Sequence, residues 1–428
     1  MRRGLAKLDS SGRDRVRANL RMCFVCATLL SGVQSVAEAA ADNLKGYSVR
    51  PPAPGPHAVA AASVNTDHSQ RFAPVTRFIE STLREKGVSG AGMLIIDKQG
   101  QTVYERYFGD WDAQTAVPIA SASKWFAAAT LLTLVDAGLV GLDDRVERYL
   151  PEFRNNGKKS EITLRHTLSF TAGYKPHDSI QDDPNLTLAD VVRRVAGMDL
   201  LRDPGTAFIY GGLQMTIAGR IAEVVTGKPY RTVFQERLVQ PLGLTNTRIA
   251  NMRGRNPRDL AFDSPNPLVP GGVVTHVDDY RKFLLMLLND GVYEGRRVLS
   301  PLAVAEMKKD QTRDLPVLRS IQEDDSYHYS LGGWYRAVGA AAGGAIISSE
   351  GALGTTSWVY RDAGYGVVFM TFARAGRMKE FSWRLKDMVT EILNGKIVSY
   401  ATPVREVRFA ATDMSAPETV ARALPPRA

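Results

Sequence analysis

The stretch Ser121-Ala122-Ser123-Lys124 stands at the head of the apolar run 125–135. A run that is apolar on nearly every side is typical of a buried helix. Residues three apart on a helix share one face, so the Ser121 hydroxyl and the Lys124 amine are expected to meet. A serine beside an amine that can lose its proton is a nucleophile with its own base. The stretch therefore predicts a buried helix that begins with a reactive pair.

A purely structural role for Ser121 is the alternative. Serine at a helix start commonly caps the first turn through its side-chain oxygen. A capping box would place Glu or Gln three residues later, but Lys124 stands there. A cation in the first turn also opposes the helix dipole. Because Ser-x-x-Lys is short and recurs by chance, both interpretations stay open on the pattern alone.

The first 39 residues of this 428-residue chain have the pattern of a targeting segment. Seven basic residues precede the apolar run 22–33, and Ala37-Glu38-Ala39 offers a small-x-small cleavage site. The run is too short to span a bilayer, so no stable membrane span is expected after cleavage. We predict a signal peptide over 1–39 and a periplasmic or secreted protein, with a transit peptide as the alternative.

Charge and cysteine content exclude several classes of function. Without the leader, 47 Lys and Arg stand against 42 Asp and Glu, so the formal net charge falls from +9 to +5. This mild excess, with no dense basic run, argues against a nucleic-acid partner. Cys23 and Cys26 both lie in the leader, so a thiolate metal site or a cysteine nucleophile is not expected. No metal or nucleotide motif occurs, and we predict no cofactor and no metal.

The order of the patterns predicts an α+β fold. Apolar alternating strands are expected at 91–96 and 102–108, and again at 343–349, 357–361 and 366–372. The middle of the chain is mostly helical in pattern. The two chain ends are therefore predicted to form one antiparallel sheet flanked by helices, with an all-helical domain inserted. The predicted divisions are a linker (40–70), a sheet domain (71–145 and 280–400), a helical domain (146–279) and a loosely ordered tail (401–428).

The chain resembles the serine β-lactamase and penicillin-binding-protein superfamily. The resemblance is nearest to the branch around class C β-lactamases, which includes carboxylesterases and nylon-oligomer hydrolases. It extends over about residues 75–395, and the segments that match in order are 119–124, 141–146, 149–151, 162–168, 208–210, 241–244, 271–274 and 351–354.

The resemblance implies acyl transfer through a covalent acyl-enzyme. Ser121 would be the nucleophile, Lys124 its base, and Tyr210 the proton shuttle to the leaving group. The backbone N–H groups of Ser121 and Ala352 would form the oxyanion hole. Taken alone, Tyr210 is also explained as a packing residue. His166 and His276 are interpreted as structural, because no Gly-x-Ser-x-Gly elbow is present.

Several positions depart from the family pattern. Gly212 stands where the family usually has an asparagine, and Ser349-Glu350-Gly351 opens the closing strand where Lys or His is usual. Glu350 would repel an anionic substrate if it faced the cleft. These candidate substrate-binding positions favour a small ester or amide as substrate over a β-lactam or a D,D-peptide.

Two further alternatives remain open on the sequence. Trp334 is a candidate apolar wall of the site, with core packing as its alternative use. A non-catalytic, penicillin-binding-like module that recognises cell-wall or acyl ligands is the second hypothesis for function.

Overall fold

The computed structural model describes residues 70–252, 256–322, 324–338, 344–360 and 363–395. The predicted signal peptide (1–39), nearly all of the predicted linker and the predicted tail (401–428) lie outside these residues, so the location of the protein stays a prediction. Among the described residues, no helix is both long and apolar enough to cross a membrane.

The described residues form helices and short and long strands. The helices are α1 (Ala73–Glu85), α2 (Ser123–Asp136), α3 (Leu164–Leu168), α4 (Leu188–Ala196), α5 (Leu213–Thr226), α6 (Tyr230–Phe234), α7 (Val277–Leu288), α8 (Pro301–Lys308) and α9 (Ala375–Leu393). The strands are β1 (Gly90–Asp97), β2 (Thr102–Gly109), β3 (Val117–Pro118), β4 (Phe208–Ile209), β5 (Arg248–Ile249), β6 (Asn251–Met252), β7 (Leu260–Ala261), β8 (Val273–Thr275), β9 (Val292–Tyr293), β10 (Arg296–Arg297), β11 (Val317–Arg319), β12 (Tyr327–Tyr329), β13 (Trp334–Val338), β14 (Gly344–Glu350), β15 (Thr356–Tyr360) and β16 (Tyr365–Thr371).

The main sheet joins the two ends of the described chain. Its seven strands follow the order β12-β13-β14-β15-β16-β1-β2, and each neighbouring pair is antiparallel. Strand β1 pairs with β16, so that Ala91 lies opposite Thr371. The predicted α+β fold, with one antiparallel sheet built from both ends, is therefore confirmed.

Helices cover both faces of this sheet, which explains why β1 is apolar without alternation. On one face, α1 and α9 enclose a core that includes Ile79, Phe369 and Leu385. On the other face, α2 and α7 belong to a larger core that continues into the middle of the chain. There Phe126 stacks on Phe283 with ring centroids 4.2 Å apart. Burying each such side chain contributes about 1.5–3 kcal/mol.

The middle segment is not all-helical, and that part of the prediction is wrong. It holds α3 to α6, but also five strands of two or three residues, from β4 to β8. Strand β8 pairs with β3 and β5, and β4 pairs with β11. Strands this short carry no detectable period of their own, because partners distant in the sequence define them. Through these small sheets the middle segment pairs with β3 and β11, which lie outside it in the sequence.

Candidate active site

Ser121 lies in a single 3-10 turn, Ala120–Ala122, that leads directly into α2. The preceding residue, Ala120, has φ +45°, a left-handed conformation that costs a non-glycine residue about 1–3 kcal/mol. The turn is held by the Ile119 N–H, which donates to the Val273 carbonyl at 2.9 Å. Ser123, two residues on, is buried and its hydroxyl accepts from the Val273 N–H at 3.0 Å. The strained turn presents the Ser121 side chain to a cavity.

Lys124 meets Ser121 as the spacing predicts. Its Nζ donates to the Ser121 Oγ at 2.9 Å and to the Pro270 carbonyl at 3.1 Å. The side chain is only 4% exposed, and no ion pair links it to a carboxylate within the described part of the chain. Burial therefore lowers the pKa of Lys124 to about 7. Near neutral pH a large share of this amine is uncharged and able to accept the serine proton.

Tyr210 completes a compact group with Ser121 and Lys124. The Lys124 Nζ lies 5.2 Å from the centre of the Tyr210 ring, and all three side chains line one cavity. Burial raises the pKa of Tyr210 well above its ordinary value, and the nearby Ser121 side chain offsets this only in part. The phenol is therefore neutral, so it can donate one proton while accepting another.

Trp334 does not form a wall of the cavity. It is 1% exposed and packs on Tyr210 at 4.8 Å between ring centroids, and on Tyr329 at 5.0 Å. The wall prediction is therefore wrong, and the alternative of core packing describes the residue. The physical reason is that β13 turns the indole into the aromatic cluster behind Tyr210, where it stabilises the orientation of the phenol.

The closing turn after β14 passes very close to the nucleophile. A Cβ at Gly351 would lie 2.0 Å from the Ile119 carbonyl oxygen, so only glycine allows this approach. Ala352, the next residue, lines the same cavity as Ser121. Ser121 and Ala352, whose backbone N–H groups are predicted to form the oxyanion hole, therefore line one cavity. That role stays a prediction.

Ser349 and Glu350, predicted to bind substrate, are turned elsewhere. The Ser349 side chain is 2% exposed and lies beneath the nucleophile turn, 3.5 Å from the Ala122 carbonyl. The Glu350 carboxylate points toward α9, where it accepts from Lys386 at 2.6 Å and from Ser348 at 2.9 Å. Successive strand residues point in opposite directions, and here neither direction leads into the cavity. Substrate contact by these two side chains is therefore a wrong prediction.

The cavity has a volume of about 1060 Å³ and a largely apolar lining that includes Leu260, Leu268, Leu353 and Phe372. Its polar residues include Gln181, which no sequence pattern marks. Gln181 is 6% exposed, and its buried Oε1 has no hydrogen-bond partner among the described residues.

The absence of a side chain at Gly212 leaves the space that the Gln181 side chain occupies. A Cβ at Gly212 would lie 3.0 Å from the Gln181 Nε2 and 3.1 Å from a side-chain carbon of Pro270. Where the family usually has an asparagine side chain, this cavity instead holds the carboxamide of a residue from another loop. The only sequence signal for this exchange is the missing asparagine itself.

The two histidines act as helix caps. The His276 Nδ1 accepts from the Asp279 N–H at 3.0 Å at the start of α7. His166 takes part in a reciprocal capping arrangement with Thr163 at α3. Their interpretation as structural residues is confirmed. Within the described residues, no group of three or more His, Cys, Asp or Glu side chains is arranged to hold a metal ion.

Comparison with curated proteins finds relatives that match about half of this chain. The chain is 28% identical over 208 residues to the protein flp of Staphylococcus aureus (strain N315), which covers 45% of this chain and 41% of flp. It is 28% identical over 226 residues to the esterase EstB of Burkholderia gladioli, covering 47% of this chain and 54% of EstB. The chain thus spans about half the length of the curated relatives it matches.

Solved structures extend the likeness over most of the fold. A protein from Bacteroides dorei DSM 17855 superposes with a TM-score of 0.67 and 32% identity, covering 76% of this chain and 99% of that one. The family model described as Beta-lactamase matches residues 75–385. The chain therefore belongs to the beta-lactamase family, within the serine β-lactamase and penicillin-binding-protein superfamily.

Proposed function

We propose that this protein is a serine hydrolase that cleaves small esters or amides through a covalent acyl-enzyme. One observation carries the proposal: a buried lysine with a pKa of about 7 lies 2.9 Å from the hydroxyl of Ser121. A base whose pKa is near the working pH combines a useful fraction of uncharged amine with enough basicity to take a proton.

The first half-reaction uses the three grouped side chains. The Ser121 Oγ attacks the substrate carbonyl carbon while its proton passes to the uncharged Lys124 Nζ. The carbonyl π electrons move to oxygen, and the backbone N–H groups of Ser121 and Ala352 receive the resulting anion. Removing one donor of this kind typically costs about 2.7–4 kcal/mol of barrier.

Collapse of the intermediate releases the first product. The carbonyl re-forms, the bond to the alkoxide or amine breaks, and that leaving group takes a proton from Tyr210. The phenol regains a proton from the Lys124 ammonium, so the charges balance at the end of the step. Water then attacks the acyl-Ser121 ester and passes a proton to Lys124. The bond between the acyl carbon and the Ser121 Oγ breaks, the Oγ takes that proton back from the Lys124 ammonium, and the free acid leaves.

Esters and simple amides are favoured over β-lactams because two family contacts are missing. Gly212 supplies no side-chain amide, and the buried Ser349 supplies no cation. The relative EstB is described as an esterase, which supports the same choice.

Labelling with a fluorophosphonate probe, followed by peptide mass spectrometry, tests the nucleophile. We expect the label on Ser121, no label in Ser121→Ala, and normal labelling of the control Ser326→Ala, whose exposed hydroxyl lies in a surface turn. Equal labelling of Ser121→Ala and the unaltered protein would overturn the proposal.

A turnover assay separates the second candidate function. The departures at Gly212 and Ser349 favour a non-catalytic module that binds acyl or cell-wall ligands. We expect Ser121-dependent release of 4-nitrophenol from 4-nitrophenyl acetate over many cycles. A single stoichiometric burst with no further release would favour the binding module.

A further inference from the structure

A short segment at the mouth of the cavity combines exposed aliphatic side chains with a cation. We call residues 317–321 the entrance rim. Val317, Leu318 and Ile321 are 52%, 45% and 37% exposed. They are three of the seven large hydrophobic residues exposed in the described chain, gathered within five positions. Clustered exposed apolar side chains are uncommon on a soluble surface and mark binding sites.

The entrance rim is fixed beside the candidate proton shuttle. Strand β11 pairs in parallel with β4. The Phe208 N–H donates to the Pro316 carbonyl at 3.0 Å, and the Tyr210 N–H donates to the Arg319 carbonyl at 3.0 Å. Arg319 and Ile321 both line the cavity that holds Ser121. Of the rim side chains, Ile321 and Arg319 therefore border the path that a substrate takes to the nucleophile.

Arg319 brings a charge that no other described residue neutralises. Its guanidinium makes no hydrogen bond or ion pair with any described residue. The positive charge reaches the site, since it acts to lower the pKa of Tyr210 against the larger effect of burial. An exposed arginine beside apolar surface is suited to a carboxylate or a phosphate, which its planar fork can bind in a bidentate manner.

The other charges around the cavity leave this cation available. Arg374 also lines the cavity, and Asp182 lines it with the His177 Nε2 only 3.3 Å from its carboxylate. Burial raises the pKa of Asp182. Glu350, the carboxylate expected to repel an anionic substrate, is instead paired with Lys386 at 2.6 Å. Among the described side chains that line the cavity, Arg319 and Arg374 stand against the single carboxylate of Asp182, which favours a negatively charged ligand.

We propose that the entrance rim binds the acyl part of substrates that are aliphatic and carry an anionic group. This inference rests on the proposed function. The aliphatic chain packs on Ile321, while the anion pairs with Arg319. The preferred substrates are then acyl esters or amides with a terminal carboxylate, rather than neutral short-chain ones.

Three 4-nitrophenyl esters test the two parts of the entrance rim separately. The acetate is short and neutral, the octanoate is long and neutral, and the mono-ester of octanedioic acid is equally long but anionic. For the unaltered protein we expect kcat/KM to rise from acetate to octanoate and again to the anionic ester. The ratio of anionic to neutral long-chain kcat/KM is the readout for Arg319.

The variants have defined expectations. Arg319→Gln should lower that ratio about five- to tenfold, and Arg319→Lys should recover part of it. Ile321→Ser should lower the octanoate-to-acetate ratio about fivefold. The matched control Arg296→Gln removes an equal charge from an exposed position on β10 and should leave both ratios unchanged.

Two results would overturn the inference in distinguishable ways. If Arg319→Gln lowers kcat/KM equally for both long esters, Arg319 does not recognise the anion. If the rim variants keep both ratios but lose binding to phosphatidylglycerol vesicles, the rim contacts a membrane and not the substrate. Failure of the proposed function is a separate result, namely no Ser121-dependent turnover of any of the three esters.

Discussion

Lys124 and Lys386 are two buried lysines with opposite surroundings. Each is 4% exposed. Lys124 faces the Ser121 hydroxyl and the Pro270 carbonyl, and burial lowers its pKa to about 7. Burial also acts to lower the pKa of Lys386, but the Glu350 carboxylate and Tyr327 outweigh it and raise that pKa.

The difference shows that burial alone does not define a catalytic lysine. A buried amine without a counter-charge gives up its proton easily, whereas one beside a carboxylate keeps it. One lysine is thereby equipped to act as a base, and the other to hold α9 against the end of β14. Variants of the two lysines should therefore fail in different ways.

The largest expected effect is on acylation. Lys124→Met should lower the rate of Ser121 acylation by a 4-nitrophenyl ester by about 10²–10⁴-fold, because the serine loses its base. Lys386→Met, measured at a temperature where it is folded, should change that rate far less. Stopped-flow release of 4-nitrophenol gives both rates. Equal losses in the two variants would contradict the assignment of Lys124 as the base.

The second effect is on stability and concerns the paired lysine. Lys386→Met leaves the Glu350 carboxylate buried without its cation, which typically costs about 3–5 kcal/mol of unfolding free energy. The double variant Glu350→Gln/Lys386→Met should recover about 2 kcal/mol of that loss, since no unpaired charge remains. Urea unfolding measures these differences. A double variant no more stable than Lys386→Met would show that the pair acts only through packing.

The third effect is a gain in unfolding free energy for Lys124→Met, opposite in sign to the loss expected for Lys386→Met. Holding Lys124 at a pKa of about 7 instead of its ordinary 10.5 costs the folded state roughly 5 kcal/mol. Lys124→Met removes this cost but deprives the Pro270 carbonyl of a partner, which costs about 1–3 kcal/mol. The inactive variant should therefore be more stable than the unaltered protein by about 2 kcal/mol at pH 7.

The pH dependence of that difference identifies its cause. Between about pH 7 and 10.5 the unfolded chain holds the Lys124 proton and the folded chain does not, so the stability of the unaltered protein rises with pH. The advantage of Lys124→Met should shrink over this window. A constant advantage across it would mean that the lysine is not titrating in the folded state.

The smallest effect concerns the electrostatic influence of the Glu350–Lys386 ion pair on the active site. The Glu350 charge acts to raise the pKa of Tyr210, but Lys386 carries a compensating charge 2.6 Å away. Removing both charges in Glu350→Gln/Lys386→Met should therefore move the pH midpoint of acylation by less than about 0.5 unit. A larger movement would give the pair a direct electrostatic role in the reaction.

Sequence periodicity predicts the contact between Lys124 and Ser121, but it does not predict the ion pair between Lys386 and Glu350. Ser121 and Lys124 are three residues apart on one helix, so local geometry is enough to bring them together. Glu350 and Lys386 lie 36 positions apart on different elements, and nothing local relates them. The strands β1 and β16 were predictable from their apolar patterns, because helices on both faces leave few polar positions.

The misplaced predictions share a physical cause. The family resemblance places Ser349 and Glu350 on the strand that closes the site, and Trp334 stands just before the closing strands. Side-chain direction at the end of a twisted strand depends on the neighbouring strands and helices, which the sequence does not display. Gln181 was missed for the complementary reason, since a distant loop brings it beside Gly212.

The pH dependence of the acylation rate of Ser121 by 4-nitrophenyl acetate tests whether Lys124 is the base. We expect a rate that rises with pH and is half-maximal near pH 7, where burial sets the pKa of Lys124. In Lys124→Met this rise should be absent. A rate that is flat between pH 5 and 9, or one that rises only near pH 10, would show that Lys124 is not the base.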